Sequence, residues 1–159
     1  MIAYVDSSVL LRVVLGQSNA LAQWQRIASG IASALVEVES LRTLDRVRLA
    51  EGYSDEIVAE RREAVYRLLE SMEIAEITYS VLARAAQPLP TALGTLDAIH
   101  LATALLRNEQ TVTDLTMATH DTALAVPPRA TRFRRPGPHP GTAGRALSRL
   151  SVHTRHPRR

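Results

Sequence analysis

The segment Ile2-Ala3-Tyr4-Val5-Asp6-Ser7-Ser8 constrains this chain more than any other stretch. Four residues of apolar, β-forming character run straight into an aspartate, and the apolar run Val9-Leu10-Leu11 follows with Arg12. This is the pattern of a buried first strand, a carboxylate at its carboxyl end and a serine N-cap opening a helix. Open α/β sheets bind ligands at the carboxyl ends of their strands. Asp6 therefore stands where chemistry belongs, although a strand-end aspartate can equally serve as a helix cap.

The remaining segments decide what kind of sheet this strand joins. Val9 to Gly16 reads as a short helix. Ser18-Asn19 can cap a second helix over 20–29, with Leu21, Trp24 and Ile27 at helical spacing and Gly30 as its stop. Ile31-Ala32 is a short strand candidate. Ser33 can cap a long helix over 34–50, with Leu35, Val38, Leu41, Leu44 and Val47 as its apolar stripe. Gly52 ends that helix, and Ser54 caps the next, with Asp55 and Glu56 in its first turn where the helix dipole favours anions. Residues 34–71 thus predict a long αα-hairpin. Glu73 to Thr78 suits a strand, and Ser80 caps a brief helix to Ala86. Thr95 caps the almost wholly apolar Leu96 to Arg107, and Thr116 to Thr119 forms a last strand before His120-Asp121. Thr122 to Val126 begins a further helix. Strands alternating with helices predict an α/β fold, a short parallel sheet flanked by helices on both faces.

Composition narrows the chemistry. With 159 residues and 46% hydrophobic content, one ordinary core is expected. No apolar run is long enough for a membrane helix, and the first residues lack a signal peptide's pattern and read as structure. No membrane association is expected. Cysteine is absent, which excludes thiolate metal sites and thiol nucleophiles and fits a cytoplasmic protein. Lysine is absent as well, so Schiff-base and P-loop chemistry are excluded together.

Most acids fall on solvated helix faces, but four do not. Asp6 ends the first strand, and Asp121 ends the last in the same strand-to-helix position. Asp97 lies in the first turn of the most apolar helix, where an unpartnered carboxylate is costly. Glu39 borders the apolar stripe of the long helix. In a parallel sheet Asp6, Asp97 and Asp121 share one edge. A buried group of like charges is unstable unless it binds cations or takes up protons. Oxygen donors without cysteine point to Mg²⁺ or Mn²⁺, and such sites suit metal-assisted attack on a phosphodiester.

Four motifs in order carry a family resemblance: Tyr4-Val5-Asp6-Ser7-Ser8, then Ser33-Ala34-Leu35 leading to Glu39-Ser40-Leu41-Arg42, then Leu96-Asp97-Ala98-Ile99-His100-Leu101-Ala102-Thr103-Ala104, then Ala118-Thr119-His120-Asp121. From Met1 to about Val126 the chain resembles PIN-domain ribonucleases, specifically VapC-type toxins of bacterial type II toxin–antitoxin pairs. The resemblance implies a PIN-like three-layer sandwich and catalytic, metal-holding roles for Asp6, Glu39, Asp97 and Asp121. It implies that the Thr119 hydroxyl steadies the site. It further implies RNA cleavage dependent on Mg²⁺ or Mn²⁺, a homodimer, and a cognate VapB-type antitoxin lying across the site. Water activated by the cation would attack phosphorus in line and leave 5′-phosphate and 3′-hydroxyl ends.

Several neighbours have plainer readings. Glu37 points away from Glu39 on a helix, Asp114 reads as a turn residue, and His100 reads as a packing or hydrogen-bonding residue. Arg42 can contact an RNA phosphate or pair with Asp45 or Glu39, and the pairing is favoured. Two other functional classes remain: a catalytically silent PIN-fold binding subunit, and an aspartyl-nucleophile phosphatase. The phosphatase usually wants a second aspartate where Ser8 stands.

Residues 127–159 differ in kind. Residues 1–126 hold 10 arginines against 16 acids, a balance of −6, whereas 127–159 hold 9 arginines and no acid. Six of the eight prolines fall there too, so a basic, disordered tail is expected. One reading is an arm that grips RNA phosphates. The other is an extension read out of frame from a GC-rich gene, which would deprive the domain of its last strand, and the break in mid-helix favours it.

Overall fold

Residues 2–5 form the strand that the apolar run predicts, and the rest of the sheet assembles beside it. The computed structural model describes residues 1–18, 24–89, 91–110, 115–120 and 124. Its elements are β1 (Ile2–Val5), α1 (Ser7–Val14), a 3-10 turn (Trp24–Arg26), β2 (Ser29–Ser33), α2 (Leu35–Glu51), α3 (Asp55–Glu70), β3 (Met72–Ala75), α4 (Tyr79–Ala85), α5 (Thr95–Gln110) and β4 (Thr116–Ala118). The four strands form one sheet in the order β3-β2-β1-β4, and every pairing is parallel. The fold is therefore α/β, as the alternation of strands and helices predicts. The helix expected from Thr122, the acid Asp121 and the basic tail lie outside the described residues.

Side chains of a strand alternate between the two faces of its sheet, and here both faces are covered. Ala3, Val5 and Ala32 pack against Val9, Leu10 and Val14 of α1, Val36 and Leu44 of α2, and Val65 and Leu69 of α3. On the other face Tyr4 and Ile31 pack with Ala104 of α5, joined by Ile2, Ala75, Leu115 and Met117. Two-sided burial explains why β1 reads as a continuous apolar run rather than as an alternating one. The Ser54 hydroxyl caps α3, accepting from the Ile57 N–H, and Gly52 closes α2 with a left-handed φ of +66° that favours glycine.

Three local expectations are corrected. The helix expected over 20–29 does not reach its end, because among the described residues of that stretch the chain makes the 3-10 turn Trp24–Arg26 and enters β2 at Ser29. Gly30 is thus a strand residue, not a helix stop, and its reason is packing: a Cβ there would lie 2.9 Å from Met72 Cγ on β3. The buried side of α2 is Val36, Ser40 and Leu44, spaced by four, whereas Val38 is 59% exposed and so lies outside the core. The cap of α4 is Thr78, whose hydroxyl accepts from the Val81 N–H, rather than Ser80. Its threonine oxygen sits one position before the first helical residue, where an N-cap must be.

The Gly30 contact yields a stability prediction. Gly30→Val should destabilise the fold by roughly 1–3 kcal/mol through overpacking against Met72, and Met72→Ala in the same chain should recover part of that loss. Thermal melts measure both, and a Gly30→Val protein that melts like wild type would contradict the close approach of β2 and β3.

Candidate active site

The parallel register of β1 and β4 builds the first part of the site. Val5 lies opposite Ala118, so the residues that follow them, Asp6 and Thr119, emerge together at the carboxyl edge of the sheet. The Thr119 hydroxyl donates to Asp6 Oδ2 at 2.5 Å. Asp6 Oδ1 accepts from the Ser8 hydroxyl at 2.7 Å and from the Val9 N–H at 3.1 Å, the latter making Asp6, not a serine, the N-cap of α1. Ser8 accepts in turn from the His120 N–H at 3.1 Å. Asp6 is 3% exposed, and three donors fix its carboxylate in direction. Asp6 is thus the helix cap that the plainer reading expects, and the same carboxylate lies at the strand end where such sheets bind ligands.

The second part comes from opposite sides of the sheet. Glu39 lies in the second turn of α2, and its Oε2 is 2.8 Å from His100 Nε2 on α5. His100 Nδ1 is 2.9 Å from the Tyr4 hydroxyl, which rises from β1 two residues before Asp6. Tyr4 and His100 are buried, while the Glu39 side chain keeps 20% exposure. Ser7, the residue directly after Asp6, also favours the charged form of Glu39. Burial pushes the Glu39 carboxyl up, but the hydrogen bond and charge of His100, together with Ser7, outweigh it and hold the group below its ordinary range. Burial pushes the Tyr4 hydroxyl well above its ordinary range, so it remains protonated and able to donate.

Asp97 lies in the first turn of α5, one helical turn before His100, and residues three apart share a helix face. Its Oδ2 is 3.2 Å from where a Cβ of Gly94 would stand, so the carboxylate folds back toward the start of its own helix. Among the described residues no three His, Asp or Glu side chains are gathered so as to hold a metal ion. Asp6 stands at the end of β1, Glu39 is tied through His100 to Tyr4 of the same strand, Asp97 lies on α5 three residues before His100, and Asp121 lies outside the described residues. Their donor set still fits a hard divalent cation in kind, because every side chain offered is a carboxylate. Arg42 pairs with Asp45 at 3.3 Å, and the arginine side chain is 71% exposed; a pair this open is worth little and leaves the guanidinium accessible. Glu37 is exposed, and Asp114 falls outside the described residues.

What the sequence reading did not find is the joining role of His100. The motif marks it only as a polar residue in an apolar helix, and neither Tyr4 nor Glu39 is near it in sequence.

The lowered Glu39 pKa has a pH consequence. Its ordinary value is 4.5, and the folded value lies below that. The stability it contributes is therefore fully present above pH 4.5 and is lost as pH falls through the folded value. In chelator, wild type should lose melting temperature below pH 4.5 more steeply than Glu39→Gln. Parallel acid limbs for the two proteins would contradict the His100–Glu39 contact.

Residues 3–124 match the model of the PIN domain family. No curated protein matches the chain.

Proposed function

This chain belongs to the PIN domain family, and on that premise we propose that it is a divalent-metal-dependent endoribonuclease working at the carboxyl edge of β1. PIN domains are usually nuclease domains. What supports the reading is the placement of Asp6, held by Thr119, Ser8 and the α1 N-terminus at the end of β1, and of Glu39, which bonds His100 and through it Tyr4 of the same strand. A carboxylate that stays ionised near the carboxyl edge of a parallel sheet is a suitable ligand for a hard divalent cation.

Asp6, Glu39, Asp97 and Asp121 would hold Mg²⁺ or Mn²⁺. When bound, the cation would lower the pKa of water and stabilise charge on the phosphoryl oxygens. The protein's own groups divide the remaining work. Asp6 is the rigid, buried acid, its direction set by three donors. Glu39 is more open to solvent than Asp6, and a carboxyl held below its ordinary range is a weak base. Glu39 therefore suits holding a cation or orienting water better than taking a proton itself. Arg42 is open enough to meet a backbone phosphate by exchanging Asp45 for it. We assign catalysis to residues 1–126 and treat 127–159 as added basic charge.

The finer reading is a VapC-type toxin, homodimeric and neutralised by a VapB-type antitoxin; its support is the four motifs in order. Among the described residues no helix is long and apolar enough to cross a membrane. RNA incubated with the protein and Mg²⁺ or Mn²⁺ should be cut internally, and a chelator should stop it. Turnover of a small phosphate ester in place of RNA would favour a phosphatase instead. Neither activity, with antitoxin bound tightly, would favour a silent binding subunit.

A further inference from the structure

We infer that His100, braced by the Tyr4 hydroxyl, is the positioning residue that aims the Glu39 carboxylate into the site. The inference rests on the nuclease reading above. Its basis is one hydrogen-bonded line through three elements far apart in sequence: Tyr4 on β1, His100 on α5 and Glu39 on α2, with contacts of 2.9 and 2.8 Å. Tyr4 and Ala104 of α5 belong to the core on one face of the sheet, whereas α2 packs on the other. The Glu39–His100 bond therefore reaches past the carboxyl edge of the sheet and links its two helical layers where Asp6 emerges.

The geometry also fixes which way the line works. With Tyr4 donating to Nδ1, the ring proton sits on Nε2 and is donated to Glu39. If the ring gains a second proton, Tyr4 becomes the acceptor and Nε2 still donates to Glu39. The atom that donates to Glu39 is therefore Nε2 in either charge state of the ring. The imidazole lies edge-on to the Tyr4 ring, at 72° with centroids 6.0 Å apart, and at 2% exposure it has little room to turn. A glutamate on a helix has three rotatable bonds; a bond from a buried, braced ring selects one placement from among them. Asp97 lies three residues before His100, so the same helix turn sets both the acid and the bond that aims Glu39.

The test is a double-mutant cycle read by Mn²⁺ affinity in calorimetry and by RNA cleavage kinetics. His100→Leu keeps bulk and removes both bonds. It should weaken Mn²⁺ binding and lower kcat by about 10–100-fold, with KM for RNA little changed. His100→Gln, which can still donate to Glu39, should recover most of the loss. In a Glu39→Gln background, His100→Leu should cost little more, because His100 acts through Glu39. Full losses that add in the double variant, or a kcat and Mn²⁺ affinity unchanged in His100→Leu, would overturn the inference. Should His100→Leu fail to fold, Tyr4→Phe carries the same cycle, with a loss of about threefold expected alone and none in the Glu39→Gln background. No loss from Tyr4→Phe alone would then overturn it. A wild type that neither binds Mn²⁺ nor cuts RNA overturns the nuclease reading and this inference together, whereas a wild type that does both while the cycle fails overturns this inference alone.

Discussion

Asp6→Asn is expected to lower RNA cleavage by about 10²–10³-fold or more while the protein stays folded. The fold survives because asparagine caps a helix about as well as aspartate, so the Val9 N–H keeps an acceptor. The Thr119 hydroxyl, which donates to Oδ2 in wild type, can rotate to accept from the new amide. Cleavage is lost because the substitution removes negative charge from the most rigid acid of the site. Asp6→Ala should be inactive and also less stable by about 1 kcal/mol, the usual worth of the cap. Cleavage rates alongside circular dichroism separate the two effects. A cleaving Asp6→Asn protein would move the chemistry away from the end of β1.

Millimolar Mn²⁺ or Mg²⁺ is expected to raise the melting temperature of wild type and to leave Asp6→Asn nearly unmoved. A ligand that binds only the folded state stabilises it by an amount that grows with the logarithm of its concentration over Kd, about 2.7 kcal/mol at 100 times Kd. For a chain of this size that is a shift of several degrees. Ca²⁺ and Mg²⁺ titrations followed by calorimetry would show how selective the site is. A wild-type melting temperature indifferent to millimolar divalent cation would contradict the metal-dependent reading.

The parts of this account that were legible in the sequence share one property, which is that their causes are local. Asp6 could be placed because a strand and a helix are each readable from a few neighbours, and the parallel sheet follows from their alternation. The Asp6–Thr119 contact needed only one further step, the parallel register of β1 and β4. The cap shifts at α1 and α4 are local ambiguities between neighbouring polar residues, whereas the differences in α2 and at Gly30 have causes that are not local. The predicted α2 stripe of Leu35, Val38, Leu41, Leu44 and Val47 includes the buried Leu44 but misses Val36 and Ser40, because the segment offers apolar residues in several phases and a buried serine carries no hydrophobic signal. Ser40 is fully buried and lets α2 pack closely, which turns Val38 outward. Gly30 looked like a helix stop, since nothing nearby in sequence reveals that Met72 presses against it. The line from Tyr4 through His100 to Glu39 spans contacts 96 and 61 residues apart, and no periodicity encodes a meeting at that distance.

The central claim is that the acids at the end of β1 direct attack of water on an RNA phosphodiester, so the most direct measurement is the chemistry of the cut ends. RNA cleaved by the purified protein with Mn²⁺ or Mg²⁺ should carry 5′-phosphate and 3′-hydroxyl termini, because water, not the neighbouring 2′-hydroxyl, is the nucleophile. Ligation-based 5′-end sequencing and mass spectrometry of the fragments report both ends at once. Fragments ending in a 2′,3′-cyclic phosphate, or cleavage that persists in chelator, would contradict the account.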